Sequence, residues 1–167
     1  RLEPAGWDAT GYDDADWEQP DVRPGYNGLL TATLEPPVRV TQTRKPVGMR
    51  RTAHGTYIYD MGQNMVGWTE LRVRGERGTK ITLSHAEVLN PDGTLYLDNL
   101  RKAVQQDHYV LRGDGEERYE PHFTFHGFRY VELIGYPGEP DLDTVTGKVV
   151  HSDTPPAGSL ATSNEMV

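Results

Sequence analysis

The stretch "HFTFHGFRYVEL", His122 to Leu133, sets four aromatic residues, two histidines, an arginine and a glutamate around one glycine. His122 and His126 stand four residues apart, the spacing that joins two metal ligands on a helix. On a strand rising about 3.3 Å per residue the same pair lies about 13 Å apart, too far for one ion. The residues that follow decide for the strand. "GFRYVELIG", Gly127 to Gly135, is apolar on both faces, as a central strand of a sandwich is. Phe128 and Tyr130 are expected to fill one side of it and Val131 and Leu133 the other, with Gly127 permitting a bend or bulge.

Working outward, "VRVTQT", "GTYIYD" and "GWTELRVRG" alternate with the period of half-buried strands: Leu71 and Val73 share one face, Glu70, Arg72 and Arg74 the other. "RGERGT" predicts a hairpin turn, and "KITLSHAEV" a strand running into "NPDGT", whose Pro and Gly sit where a type I turn takes them. "QDHYVLRGDGEERYEPHFTF" reads as two strands joined through Asp114–Gly115, and "TGKVVHS" closes the set. The 18 Gly and 12 Pro favour short strands and turns over helices, leaving only a helical turn or two near Leu97 to Gln105. About eight short strands predict an all-β fold, an antiparallel β-sandwich of jelly-roll type.

Composition removes several function classes. A formal net charge of −8 without a Lys/Arg run repels phosphate backbones and anionic lipid, so nucleic acid and membrane are poor partners. The absence of cysteine removes disulfides, thiol nucleophiles and thiolate metal sites, and leaves the compartment, cytoplasmic or secreted, open. Residues 1–37 carry turn chemistry ending in the stiff "LEPPV" linker. The closing "SLATSNEMV" sets Ser163 and Asn164 ahead of Glu165 and Met166, a predicted helix start. The chain is expected to be a piece of a larger protein.

Three groups of side chains suggest chemistry. Asp13, Asp14 and Asp16 in "GYDDADW" cluster oxygen ligands of the kind calcium takes, though without the twelve-residue EF-hand pattern. Trp7, Trp17 and Trp68 offer either sugar-stacking platforms or core and interface anchors. His85 and Glu87 share a strand face at roughly 7 Å, as a polar pair at a domain contact or a dyad. Glycosidase chemistry needs two carboxylates flanking one bond at about 5 to 10 Å, and no spacing here fixes such a pair among Glu70, Glu87 and Glu132.

In order along the chain stand Asp60, Gly62, Gln63, Asn64, Gly67 and Trp68 of "YDMGQNMVGWTELRVRG"; His85, Ala86 and Glu87; Asp107 and Tyr109; Phe123 and the run His126 to Tyr130; and "VVHSD". This series resembles the bacterial α-L-rhamnosidase family. The resemblance implies a concanavalin-like β-sandwich over residues 38–158, an accessory domain preceding an (α/α)6-barrel. Residues 1–37 are similar to the tail of a preceding jelly-roll domain that in some members binds rhamnose with calcium, and residues 159–167 look like the entry to the barrel. It also implies a parent glycoside hydrolase that releases terminal L-rhamnose with inversion, whose acid and base lie outside this chain, so no catalytic residue is assigned. The alternative is a carbohydrate-binding module for rhamnose, using Trp7, Trp17 or Trp68, with Asp13, Asp14 and Asp16 as its candidate calcium ligands. The partner expected is the rest of the same chain, above all the barrel, with His85, Glu87, His126 and Arg129 as a docking surface, and rhamnose-containing glycosides through the parent.

Overall fold

The computed structural model describes residues 4–25 and 27–164. Glu165 and Met166 of the expected helix start lie outside them. Among the described residues eight strands form: β1 Val38–Arg44, β2 Gly48–Arg51, β3 Tyr57–Arg74, β4 Lys80–Ala86, β5 Gln106–Val110, β6 Glu116–Tyr119, β7 His126–Ile134 and β8 Val145–Ser152. All their pairings are antiparallel. The helical turn expected near Leu97 is a single 3-10 turn, Asp98–Leu100, and among the described residues no helix is long and apolar enough to cross a membrane. In "NPDGT" the Gly93 N–H bonds the Asn90 carbonyl at 2.8 Å, closing the expected turn.

The strands make one sheet in the order β1-β8-β3-β7-β4-β5, with β2 and β6 also on β3. The 18-residue β3 belongs to both halves. Its first part, Tyr57–Asp60, pairs with β2 and β7, and its last part, Gly67–Arg74, pairs with β8 and β6. The sheet therefore curls on itself through β3, and its halves close over one core. Tyr59, Ile81, Leu83, Phe128, Val131 and Leu133 come from one side, Leu71, Val73, Val145 and Val149 from the other. Gly67 makes the crossing possible, because a Cβ there would lie 1.8 Å from the Lys148 carbonyl oxygen.

Two local turn signals do not make the hairpins the sequence suggests. β3 and β4, joined by "RGERGT", are separated by β7, and the two strands around Asp114–Gly115 pair elsewhere, β5 on β4 and β6 on β3. They meet across the fold instead. The Tyr109 and Tyr119 rings stack at 4.6 Å, and the buried Glu117 carboxylate accepts the Tyr109 hydroxyl at 2.6 Å and the N–H groups of Arg112 and Gly113.

Following β6 into β7 along β3 exposes two offsets. Residues 71–74 pair with 119–116 in the same alignment as 57–60 with 133–130, but the intervening Met65–Gly67 pairs with Phe128–His126 three residues out of step. The loop 120–125 therefore bulges from one line of the ladder, and Met61–Asn64 bulges back from the other. Arg129 stands opposite the second bulge, and there the strand changes face. Phe128 shares the main core with Val131 and Leu133, while Tyr130 packs on the opposite side with Ile58, Ala86 and Leu95. The expectation that Phe128 and Tyr130 share a side is thus corrected. The break comes at Arg129 rather than Gly127, where a Cβ would meet only ordinary contacts.

Candidate functional site

The four residues expected to form one docking surface separate into an inner and an outer group. His85 follows Ile81 and Leu83 with the same parity along β4 and points into the interior with them. His126 opens β7 and Asp107 lies on β5, and all three are buried. Both Asp107 oxygens accept from His126 Nε2, at 3.0 and 3.1 Å. The His85 ring stacks on His126 at a centroid distance of 4.4 Å and meets the Phe128 ring edge-on at 4.8 Å. His85 Nδ1 stands 3.3 Å from the Gln105 carbonyl. A carbonyl can only accept, so this nitrogen carries the proton, and Nε2 accepts from the Thr69 hydroxyl at 3.3 Å. Burial, reinforced by His126, pushes the His85 imidazole down to about 4, so the ring is neutral at ordinary pH.

His85, Asp107 and His126 are, among the described residues, the one group of three whose ligand atoms come within 4.8 Å of one another. The chemistry of the donors does not favour an ion. An imidazole binds metal in its own plane, and two rings stacked 26° from parallel aim their lone pairs side by side rather than at a common point. Both nitrogens of His85 are already engaged, and calcium prefers oxygen ligands. The cluster is a hydrogen-bonded core, with each polar group partnered as burial requires.

Arg129 and Glu87 are partly exposed. The Arg129 guanidinium grips Asp60 with two bonds, at 2.8 and 2.9 Å, and lies over the Tyr130 ring at 5.2 Å. Asp60 also accepts the Gly62 N–H at 2.7 Å; the Arg129 bond, more than burial opposes it, holds this carboxyl below its usual range. Glu87 accepts Asn64 at 2.9 Å and Asn99 at 3.3 Å. Between the inner and outer groups the Gln105 side-chain amide clasps Gly127, accepting its N–H at 2.9 Å and donating to its carbonyl at 3.3 Å.

The tryptophans part company. Trp68, half-buried on β3, donates its indole N–H to Glu120 at 2.7 Å. Lys148 lies beside it, 2.9 Å from Glu70 and 3.8 Å from Glu120, and its bond lowers the Glu70 carboxyl. Trp7 and Trp17, outside the sandwich, are 46% and 48% exposed, and Trp17 packs on Tyr12 at 5.7 Å. Asp13, Asp14 and Asp16 are exposed, and Asp13 caps the turn by accepting the Ala15 N–H at 3.1 Å. They are not brought together as a coordinating group among the described residues. Of the nominal carboxylates, Glu132 accepts the Thr56 hydroxyl at 2.6 Å, on β7.

Sequence reasoning named Asp107 without a role and missed Thr69, Gln105 and Asn99. The alternation Ile81, Leu83, His85 was the available signal that the histidine faces inward.

Residues 50–151 match the model of the bacterial alpha-L-rhamnosidase concanavalin-like domain. An alpha-L-rhamnosidase of Streptomyces avermitilis is 48% identical over 158 residues, covering 93% of this chain and 15% of that protein. One from Formosa agariphila is 36% identical over 98% of this chain and 18% of its own. The solved alpha-L-rhamnosidase of Dictyoglumus thermophilum superposes with a TM-score of 0.91 at 44% identity, covering 98% of this chain and 19% of that one. The chain thus spans less than a fifth of the length of these relatives. With an all-β curled sheet, a family match over most of its strands and relatives of this kind, the chain belongs to the bacterial alpha-L-rhamnosidase concanavalin-like domain family.

Proposed function

We propose that this chain is the noncatalytic β-sandwich portion of an α-L-rhamnosidase, whose parent releases terminal L-rhamnose with inversion at a barrel domain elsewhere in the polypeptide. The observation that carries the reading is the state of its carboxylates. An inverting glycosidase needs one carboxylic acid held protonated by a raised pKa, with a second carboxylate across the bond. Here the Asp60, Asp143 and Glu70 carboxyls are lowered by their partners Arg129, Lys45 and Lys148, and that of Asp92 by Thr94. At Glu117 burial opposes the charge, but the Tyr109 hydroxyl and two backbone N–H groups outweigh it. These are anions tied into the fold, none poised to donate a proton. On this reading residues 1–37 are the tail of a preceding sandwich, 38–158 the accessory domain and 159–167 the approach to the barrel.

The test is hydrolysis of an aryl α-L-rhamnoside by the purified chain. No turnover is expected, and turnover that scales with the concentration of this chain overturns the proposal.

The exposure of Trp7 and Trp17 favours a second reading, a rhamnose-binding module. Calorimetry with rhamnose, with and without chelator, separates the two: chelator-sensitive heat supports the module, and the absence of heat removes it.

A further inference from the structure

The chain carries five asparagines, Asn27, Asn64, Asn90, Asn99 and Asn164. A side-chain amide is lost when the main-chain nitrogen of the next residue reaches the asparagine Cγ. That attack needs an uncrowded N–H after the asparagine and a side chain free to turn towards it. Four of the five lack one condition or both. Asn90 precedes Pro91, which has no N–H, and it is held by the Thr94 hydroxyl at 2.9 Å. Asn64 and Asn99 are both tied to Glu87, at 2.9 and 3.3 Å, and are followed by Met65 and Leu100. Asn164 precedes Glu165, whose side chain crowds the nitrogen. Asn27 precedes Gly28, which has no Cβ to stand in the way.

The surroundings leave Asn27 free to react. It is exposed, and the adjacent Leu29 and Leu30 are 89% and 91% exposed. An Asn-Gly pair flanked by strands makes a tight hairpin, but here the first strand among the described residues begins only at Val38, so no ladder fixes the pair. No described residue hydrogen-bonds the Asn27 side chain or the Gly28 N–H. The two Asp-Gly pairs of the chain differ on each count. The Gly93 N–H is bonded to the Asn90 carbonyl, Asp92 accepts twice from Thr94, and Asp114 is paired with Arg112 at 3.0 Å.

We infer that Asn27–Gly28 is a self-modification site, where the chain deamidates without an enzyme in the segment that leads into the sandwich. The Gly28 nitrogen gives its proton to base and bonds to Asn27 Cγ. The bond from Cγ to the side-chain nitrogen breaks, and ammonia leaves with a proton from water. The resulting succinimide takes up one water at either carbonyl. One opening gives aspartate, and the other gives isoaspartate, with the main chain running through Cβ and Cγ. Water is consumed, ammonia is released, and nothing is oxidised or reduced. Each event adds a negative charge to a chain already at −8. The isoaspartate route also lengthens the backbone by one carbon ahead of the stiff "LEPPV" linker.

Ageing the purified 167-residue chain at mildly alkaline pH tests this, with tryptic peptides of aged and fresh samples compared by mass. Exchange of NH2 for OH at Asn27 should run at least about tenfold faster than at Asn64 or Asn99, which must first release Glu87. Equal rates at the three overturn the inference. Aspartate and isoaspartate should both appear, separable by chromatography; aspartate alone means direct hydrolysis and defeats it. Gly28→Ala should slow the change severalfold, and Asn27→Gln should abolish it, both without moving the melting temperature. A Gly28→Ala chain that ages as fast as the original rules out attack by the Gly28 nitrogen. An Asn27 that survives in the chain while a synthetic peptide of residues 24–31 deamidates shows that the fold holds the segment, and also overturns the proposal.

Discussion

His126 and Arg129 stand three residues apart in one strand, and the sequence assigns both to a docking surface. The structure sends them to different media. His126 is sealed against Asp107 and His85, while Arg129 lies at the surface on Asp60. Both make two short contacts with a carboxylate, so the number of bonds does not distinguish them. What differs is the cost of losing a partner. In the interior an abandoned carboxylate has no water to turn to, whereas at the surface water replaces the arginine at once.

The contrast is most easily broken at its hydrophobic neighbour. Phe128→Ala should cost about 3 to 5 kcal/mol, since the ring is fully buried between the two halves. Urea unfolding of the chain measures it; a loss below about 1 kcal/mol would mean that the core collapses around the gap.

Next comes His126→Ala, which strands a buried carboxylate and should cost about 3 kcal/mol, with Asp107→Asn in the same background recovering part of the loss. Additive losses in that double mutant would show the two residues to be energetically unconnected.

The inner group also gives the domain a pH dependence. The unfolded chain binds a proton at His85 below about 6.5, whereas the native ring resists until about 4. Stability should therefore fall as pH drops from 6.5 towards 4, by on the order of 3 kcal/mol at most, and this fall should be shallower in His85→Gln. Melting curves at several pH values check the sign, and a chain more stable at pH 4.5 than at 7 would contradict it.

The smallest effect belongs to Arg129→Ala, expected to shift the melting temperature of this chain barely beyond measurement error. If it matches His126→Ala, the division into inner and outer groups is wrong.

The legible part of the fold was whatever alternation could record. Leu71 and Val73 against Arg72 and Arg74, or Ile81 and Leu83 in "KITLSHA", place strands and their inner faces correctly. Partner choice was not legible, because the turns at "RGERGT" and Asp114–Gly115 are local while β7 arrives from far along the chain to separate β3 from β4. Nor was the change of face at Arg129, which depends on the bulge of Met61–Asn64 across the ladder. For the candidate site, the residue types were found but not their side of the sheet. His85 carried its own signal in its parity with Leu83, whereas His126 and Asp107 acquire their burial only from each other and from the closing of the sheet.

The passage of β3 through both halves has a kinetic meaning. Tyr57 must find Leu133 and Trp68 must find Lys148 before either half has a complete ladder. Neither search is local, so the chain should fold slowly for its size, on the millisecond-to-second scale of proteins dominated by distant pairings. No stable half-product can wait for the other, because each half would lack the strand they share. A ribosome still making β7 or β8 would hold β3 only partly satisfied, the edges meant for those two strands open to wrong partners, and the exposure would end only when Ser152 had emerged.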